Sequence, residues 1–287
     1  LKEAKVNKAN CISLLQWTSK ADWESNKQEI ERLMEKLPDT RPQLVIFPEM
    51  FARFGAGEQR QGKFAETAGD GDIQSFIAAL AARHKVWILA GTLPIDEGER
   101  YAAASLLYDE QGEQVARYDK IHLFDALVDD GTKRYQESKF TQPGKQIVVI
   151  DTPWGKLGLS VCYDLRFPEL FRALRNAGAE LIALPSAFTK VTGEAHWRTL
   201  LAARAIEQQV FMLAPNQTGT HADGRETWGH SMVIDPWGRE VGALGAEPGV
   251  LTVYIDHEAI TQVRDKMPIA AHNQFEVKFI EHATTSE

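Results

Sequence analysis

Cys162 closes an apolar run, Gly158-Leu159-Ser160-Val161, that reads as a strand. After it, Leu170, Phe171 and Leu174 are spaced as one helix face, which stops near Gly178. The thiol therefore stands at a strand-to-helix elbow. Unpaired N–H groups and the positive end of a helix favour a thiolate there and can hold an oxyanion. That chemistry is nucleophilic attack on an electrophilic carbon. A lone cysteine on a strand is more often a small, inert hydrophobe, and Cys11, inside the first apolar run, is assigned to that class. Around Cys162 the charges Asp164, Arg166 and Glu169 are dense for a strand end entering a core.

A free thiol with a pKa of ~8.5 is only slightly ionised at neutral pH, so attack on a poor electrophile needs a base. No histidine lies near Cys162 in sequence. Two other charges stand out. Glu49 ends the run Leu44-Val45-Ile46-Phe47-Pro48, and Lys120 follows Val115-Ala116-Arg117-Tyr118-Asp119. Taken singly, each reads as a charge reaching the rim of a sheet.

The elements that must carry these residues show in the periodicity. Ile30, Leu33, Met34 and Leu37 form one apolar helix face, and Ile73, Phe76, Ile77 and Leu80 another. Leu44 to Phe47 and Val86 to Ala90 read as short buried strands between and after them. Ser105–Tyr108 with Gln114–Tyr118, and Ile147–Ile150 with Leu157–Val161, read as hairpins, the second across Pro153-Trp154-Gly155. Asp235-Pro236-Trp237-Gly238 makes a similar turn. A purely parallel sheet has no use for so many hairpins, so mixed sheets are expected, two of them face to face with helices outside. The chain after Gln274 loses periodicity and reads as a surface arm from about residue 275, or as a segment that embraces a partner.

Composition limits the function classes. The 287 residues are 44% apolar and 25% charged, with a formal net charge of −8. This is a globular balance, and the negative charge argues against a nucleic-acid partner, which calls for basic surface. No apolar run approaches the ~18 residues of a membrane span, and the first ten residues lack the pattern of a secretory signal. Two cysteines cannot form a disulfide framework, so a cytoplasmic setting is expected. Phosphate-cradling glycine motifs, G-x-S-x-G and H-E-x-x-H are absent, so no cofactor and no metal are expected.

Taken together, Phe47-Pro48-Glu49, Tyr118-Asp119-Lys120-Ile121-His122 and Val161-Cys162-Tyr163-Asp164-Leu165-Arg166-Phe167-Pro168-Glu169 resemble the nitrilase superfamily. The resemblance spans roughly residues 6 to 270. It implies a single domain folded as a four-layer αββα sandwich with two mixed six-stranded sheets, paired as a homodimer. It also implies a Glu49–Lys120–Cys162 triad, with Glu137 supporting Lys120 and the Tyr163 N–H facing an oxyanion. Pro185-Ser186-Ala187-Phe188, Thr192-Gly193-Glu194-Ala195-His196-Trp197 and Gly229-His230-Ser231-Met232, preceded by Gln217, Gly219, His221 and Arg225, look like the Nit branch. This implies hydrolysis of the carboxamide C–N bond of a small linear amide through a Cys162 thioester, releasing ammonia and a carboxylic acid. Deaminated glutathione is the leading implied substrate, and 2-oxo acid monoamides such as α-ketoglutaramate are the alternative. Arg166, Phe188 and Thr192 are the expected substrate-binding residues. Arg166 has an equal reading as an ion pair with Glu169 or Glu137, and Phe188 one as core. A reading of another class keeps Cys162 as a non-catalytic redox thiol.

Overall fold

The computed structural model describes residues 10–57, 61–132 and 134–280. Two sheets carry the fold. The first is built on β1 (Cys11–Gln16), β2 (Gln43–Ile46), β3 (Trp87–Asp96), β4 (Tyr101–Tyr108) and β5 (Gln114–Asp119). The second uses β6 (Val149–Thr152), β7 (Gly155–Leu159), β8 (Leu181–Ala183), β9 (Phe211–Ala214), β10 (Met232–Ile234) and β11 (Glu240–Ala243). The chain then returns as β12 (Gly249–Tyr254) to the first sheet, giving the order β12-β1-β2-β3-β4-β5, with Thr141–Gln142 added beside β4. The second sheet runs β11-β10-β9-β8-β7-β6. Each holds a parallel trio, β1-β2-β3 or β7-β8-β9, flanked by antiparallel strands. Both sheets are therefore mixed, as the hairpins require.

Alternation along the strands sends apolar side chains to both faces. Ile12, Leu14, Leu44, Ile46 and Leu89 of the first sheet meet Leu157, Leu159 and Ile182 of the second in one core. Leu15, Val45, Phe47 and Ile88 point the other way, onto α1 (Trp23–Met34) and α2 (Asp72–His84) through Ile30, Leu33, Ile73, Ile77 and Leu80. α3 (Pro168–Asn176) and α4 (Lys190–Gln208) pack on the second sheet through Leu170, Phe171, Leu174, Trp197 and Leu201. The layers are thus helix, sheet, sheet, helix.

Local differences from the periodicity have simple causes. Asp22 caps α1 by accepting from the Ser25 N–H at 2.9 Å. The helix ends at Met34, so Leu37 packs on the outer core from beyond it. A residue before proline is driven out of helical conformation, and Pro38 follows Leu37. β3 extends to Asp96 across a bulge between Ala90 and Leu93. Residues 273–280 carry no helix or strand, and Phe275, Phe279 and Ile280 are exposed. The rest of the expected arm lies outside the described residues.

Candidate active site

Glu49 comes from the turn after β2. That turn presses on the bulge of β3, where Gly91 leaves no room for a side chain: a Cβ there would lie 1.8 Å from the Pro48 carbonyl oxygen. Thr92 Oγ1, in the same bulge, accepts the Met50 N–H at 2.9 Å, and Met50 is left-handed with φ +57°. Gln217 Nε2 donates to the Glu49 carbonyl at 3.0 Å. Lys120 follows β5, which runs in the same direction as β2, so both residues emerge at strand C-termini, where open α/β sheets place ligands. Gly144 backs this turn: its N–H donates to the Lys120 carbonyl at 2.9 Å, and a Cβ would meet the Asp119 carbonyl at 2.0 Å.

The Lys120 ammonium is 2% exposed and touches two carboxylates. Nζ donates to Glu49 Oε1 at 2.7 Å and to Glu137 at 2.8 and 3.1 Å. Neither Glu49 nor Lys120 reaches out to the rim of the sheet; they neutralise each other inside. Burial opposes the charge of Lys120, but Glu137 and Glu49 outweigh it and hold the ammonium well above its usual range. Glu137 begins a short turn after Arg134–Gln136 and accepts the Phe124 N–H at 2.6 Å. Burial pushes its carboxyl up, against the pull of Lys120.

Cys162 has φ +46°, a conformation that costs a non-glycine residue about 1–2 kcal/mol, and its N–H donates to Pro185 O at 2.9 Å. The helix expected to follow it directly is a five-residue 3-10 segment, and α3 begins only at Pro168. The elbow therefore lacks, directly after the thiol, the long helix whose dipole would favour a thiolate. Burial, then the neighbouring Glu49 carboxylate, raise the Cys162 thiol well above its usual value, and Lys120 only partly offsets them. The resting group is a thiol and needs a base. Tyr163 lies in the first turn of the 3-10 segment, where backbone N–H groups have no intrahelical acceptor. Cys11 sits on β1, with its thiol pushed up to about 11 by burial.

One cavity is lined by Glu49, Lys120, Glu137, Cys162, Tyr163, Arg166, Phe188 and Thr192, so the residues expected to form the triad, support it and bind substrate reach the same space. Arg166 forms no ion pair with Glu169 or Glu137 among the described contacts. Its guanidinium lies over the Phe188 and Tyr163 rings, at 5.4 and 5.9 Å, and 3.4 Å from His196 Nδ1. Phe188 is core and wall at once: it is 4% exposed, packs on Trp197 at 4.8 Å, and faces the cavity. Thr192 stands in the first turn of α4, where Thr189 caps its N–H.

Asp164 is the residue whose role the sequence did not reveal. Its carboxylate is fully buried and joins the two turns that bear Cys162 and Lys120. Oδ2 accepts from the Val161 N–H and the Tyr118 hydroxyl, both at 2.8 Å. Oδ1 accepts from the His122 N–H at 3.1 Å and from His122 Nδ1 at 2.7 Å. Its position three residues after Val161, as a helix-capping acid, was the only local signal. Among the described residues no group of three His, Cys, Asp or Glu side chains could hold a metal.

Known proteins resemble the chain along most of its length. Residues 11–265 match the family model described as carbon-nitrogen hydrolase. A protein of Yersinia enterocolitica named deaminated glutathione amidase is 45% identical, over 92% of this chain and 93% of its own. The crystal structure of the Caenorhabditis elegans NitFhit protein superposes with a TM-score of 0.87 at 36% identity, over 96% of this chain and 68% of that one. Saccharomyces cerevisiae Nit3, described as a member of branch 10 of the nitrilase superfamily, gives 0.81 at 29% identity, over 92% of this chain and 96% of its own.

Proposed function

Because the chain belongs to the carbon-nitrogen hydrolase family, we propose that Cys162, Glu49 and Lys120 hydrolyse a small linear amide through a thioester. The observation that carries this reading is their convergence on one cavity, with a buried thiol, a carboxylate and a charged amine in place. Cys162 Sγ attacks the amide carbon while Glu49 takes its proton. The carbonyl electron pair moves to oxygen, facing Lys120 Nζ and the Tyr163 N–H; one such donor is typically worth ~10²–10³ in rate. Collapse breaks the C–N bond, and Glu49 returns the proton to the departing nitrogen. Water then attacks the thioester, giving its proton to Glu49, and the acid leaves as the thiol is restored. Glu137 keeps Lys120 charged and aimed.

The substrate we propose is deaminated glutathione, supported by the names of relatives 35–45% identical over most of the chain. Arg166, with no acidic partner among the described residues, would take a substrate carboxylate, with Phe188 and Thr192 shaping the acyl pocket. A 2-oxo acid monoamide such as α-ketoglutaramate also has a carboxylate for Arg166 and is the second reading. The leaving groups differ: α-ketoglutaramate gives ammonia, whereas the peptide-type amides of deaminated glutathione give an amine. Steady-state kcat/KM on both substrates side by side tests the choice, and a preference for α-ketoglutaramate reverses it. A redox-sensor role is disfavoured because such thiols have a lowered pKa, and Cys162 is shifted the other way. Among the described residues no helix is long and apolar enough to cross a membrane. Two free cysteines support our placement in the cytoplasm. Ile206 on α4 and Trp237 on the β10–β11 turn, both 49% exposed, support a homodimer, which light scattering would measure.

A further inference from the structure

A second chamber adjoins the Cys162 cavity. The two share Glu49, Met50, Tyr101 and Glu137 as a common wall. The new chamber is lined by Arg53, Gln61 and Phe64, and neither Cys162 nor Arg166 reaches it. Arg53 lies face-on to Phe64, 3.7 Å from the ring centroid. Its Nε is buried without a hydrogen-bond acceptor. Asp22, an acid within its electrostatic reach, is exposed and already engaged as the α1 cap, and Glu49 and Glu137 on the shared wall are held by Lys120. Gln61 Nε2 donates to the Arg53 carbonyl at 3.0 Å and fixes the loop that presents the guanidinium. The chamber thus offers a guanidinium whose buried Nε–H has no acceptor among the described residues, on a planar fork of the kind that suits a carboxylate.

Its relation to Glu49 gives it a role. In the proposed reaction Glu49 protonates the departing nitrogen, and Glu49 stands on the shared wall. The acyl carbon stays bonded to Cys162 on one side, so substituents on the leaving nitrogen extend to the other. We infer that the second chamber is the leaving-group subsite, in which Arg53 binds a carboxylate carried by the departing amine. This rests on the acyl-transfer reading above. A primary amide expels only ammonia and leaves the subsite unused. A peptide-type amide ending in a carboxylate, such as the glycine end of deaminated glutathione, fills it. Arg166 and Arg53 would then grip opposite ends of one substrate.

The test is kinetics of the wild type, Arg53→Gln and Arg53→Lys on deaminated glutathione, its C-terminal carboxamide and α-ketoglutaramate. Wild type should prefer the acid-ended peptide amide over its carboxamide by about 10- to 100-fold in kcat/KM, the effect of one charge-assisted hydrogen bond. Arg53→Gln should erase that preference, mainly through KM, and Arg53→Lys should recover part of it. Losses of equal size on all three substrates would overturn the subsite while leaving the amidase reading intact. So would a wild type indifferent to the terminal carboxylate, a result that needs no variant to fold. Turnover of α-ketoglutaramate with neither peptide amide cleaved would overturn both the subsite and the choice of deaminated glutathione.

Discussion

Replacing Lys120 by Met removes a cation that is 2% exposed and lies 2.7 Å from Glu49 and 2.8 Å from Glu137. Deleting one partner of a buried ion pair costs about 3–5 kcal/mol, because the other charge stays behind uncompensated. Here two carboxylates stay behind. They cannot both remain ionised in one buried site, so one must bind a proton. Glu137, already raised by burial, is the one expected to do so. Its folded pKa in the variant then exceeds the unfolded value, so the cost is absent below the unfolded carboxyl pKa, grows as pH rises from there to the folded pKa, and is constant above it. Each unit of elevation contributes about 1.4 kcal/mol. In the wild type the raised Lys120 pKa contributes stability that is constant up to about pH 10.5 and is lost only above it. The gap between the two proteins should therefore widen from pH 5 to pH 8 and reach about 3–5 kcal/mol at the upper end. Urea unfolding followed by tryptophan fluorescence at several pH values measures it. A gap below about 1 kcal/mol at pH 8, or one independent of pH, would refute the buried three-charge cluster.

Glu49→Gln keeps the shape of the side chain but removes its base, so iodoacetamide labelling of Cys162 should be slow at pH 7 and recover toward pH 10, while amide turnover stays low. Labelling at the wild-type rate at pH 7 would mean that another base serves the thiol. Asp164→Asn weakens the tie between Val161, Tyr118 and His122; it should cost about 1–3 kcal/mol in stability and lower kcat more than tenfold with little change in KM. A folded variant with wild-type kcat would remove Asp164 from the positioning role. His221 is buried between Ser19 O and Thr227 Oγ1, and burial depresses its pKa to about 4. The unfolded chain takes up the proton first, so stability present above pH 6.5 should fall by about 3 kcal/mol on the way to pH 4. His221→Gln should flatten that slope, and an unchanged slope would contradict the assignment.

Periodicity was enough for the scaffold: the apolar faces of α1 and α2, the hairpins and the two mixed sheets all follow from it. It overran at Leu37, because an apolar spacing continues past the point where Pro38 forbids the helix. Glu49 and Lys120, taken singly, read as charges at the rim of a sheet, and only the resemblance carried by the short motif beside each set them together with Cys162. The Asp164 network was not, since its partners Tyr118 and His122 come from a distant turn and only the fold brings them together. The surroundings of the Cys162 thiol were hidden for a related reason. A strand end before a helix suggests thiolate, whereas burial beside Glu49 decides for thiol. Arg166 had two equal readings until its surroundings, two aromatic rings and His196, replaced the acids that proximity in sequence offered.

In the proposed reaction an acyl group passes through Cys162. Rapid acid quench during turnover of deaminated glutathione or α-ketoglutaramate, followed by peptide mass spectrometry, tests it directly. An acyl adduct is expected on the peptide containing Cys162, lost on treatment with hydroxylamine. No adduct and no turnover are expected in folded Cys162→Ala, and near wild-type behaviour in Cys11→Ala. An adduct on Cys11, or turnover by Cys162→Ala, would contradict it.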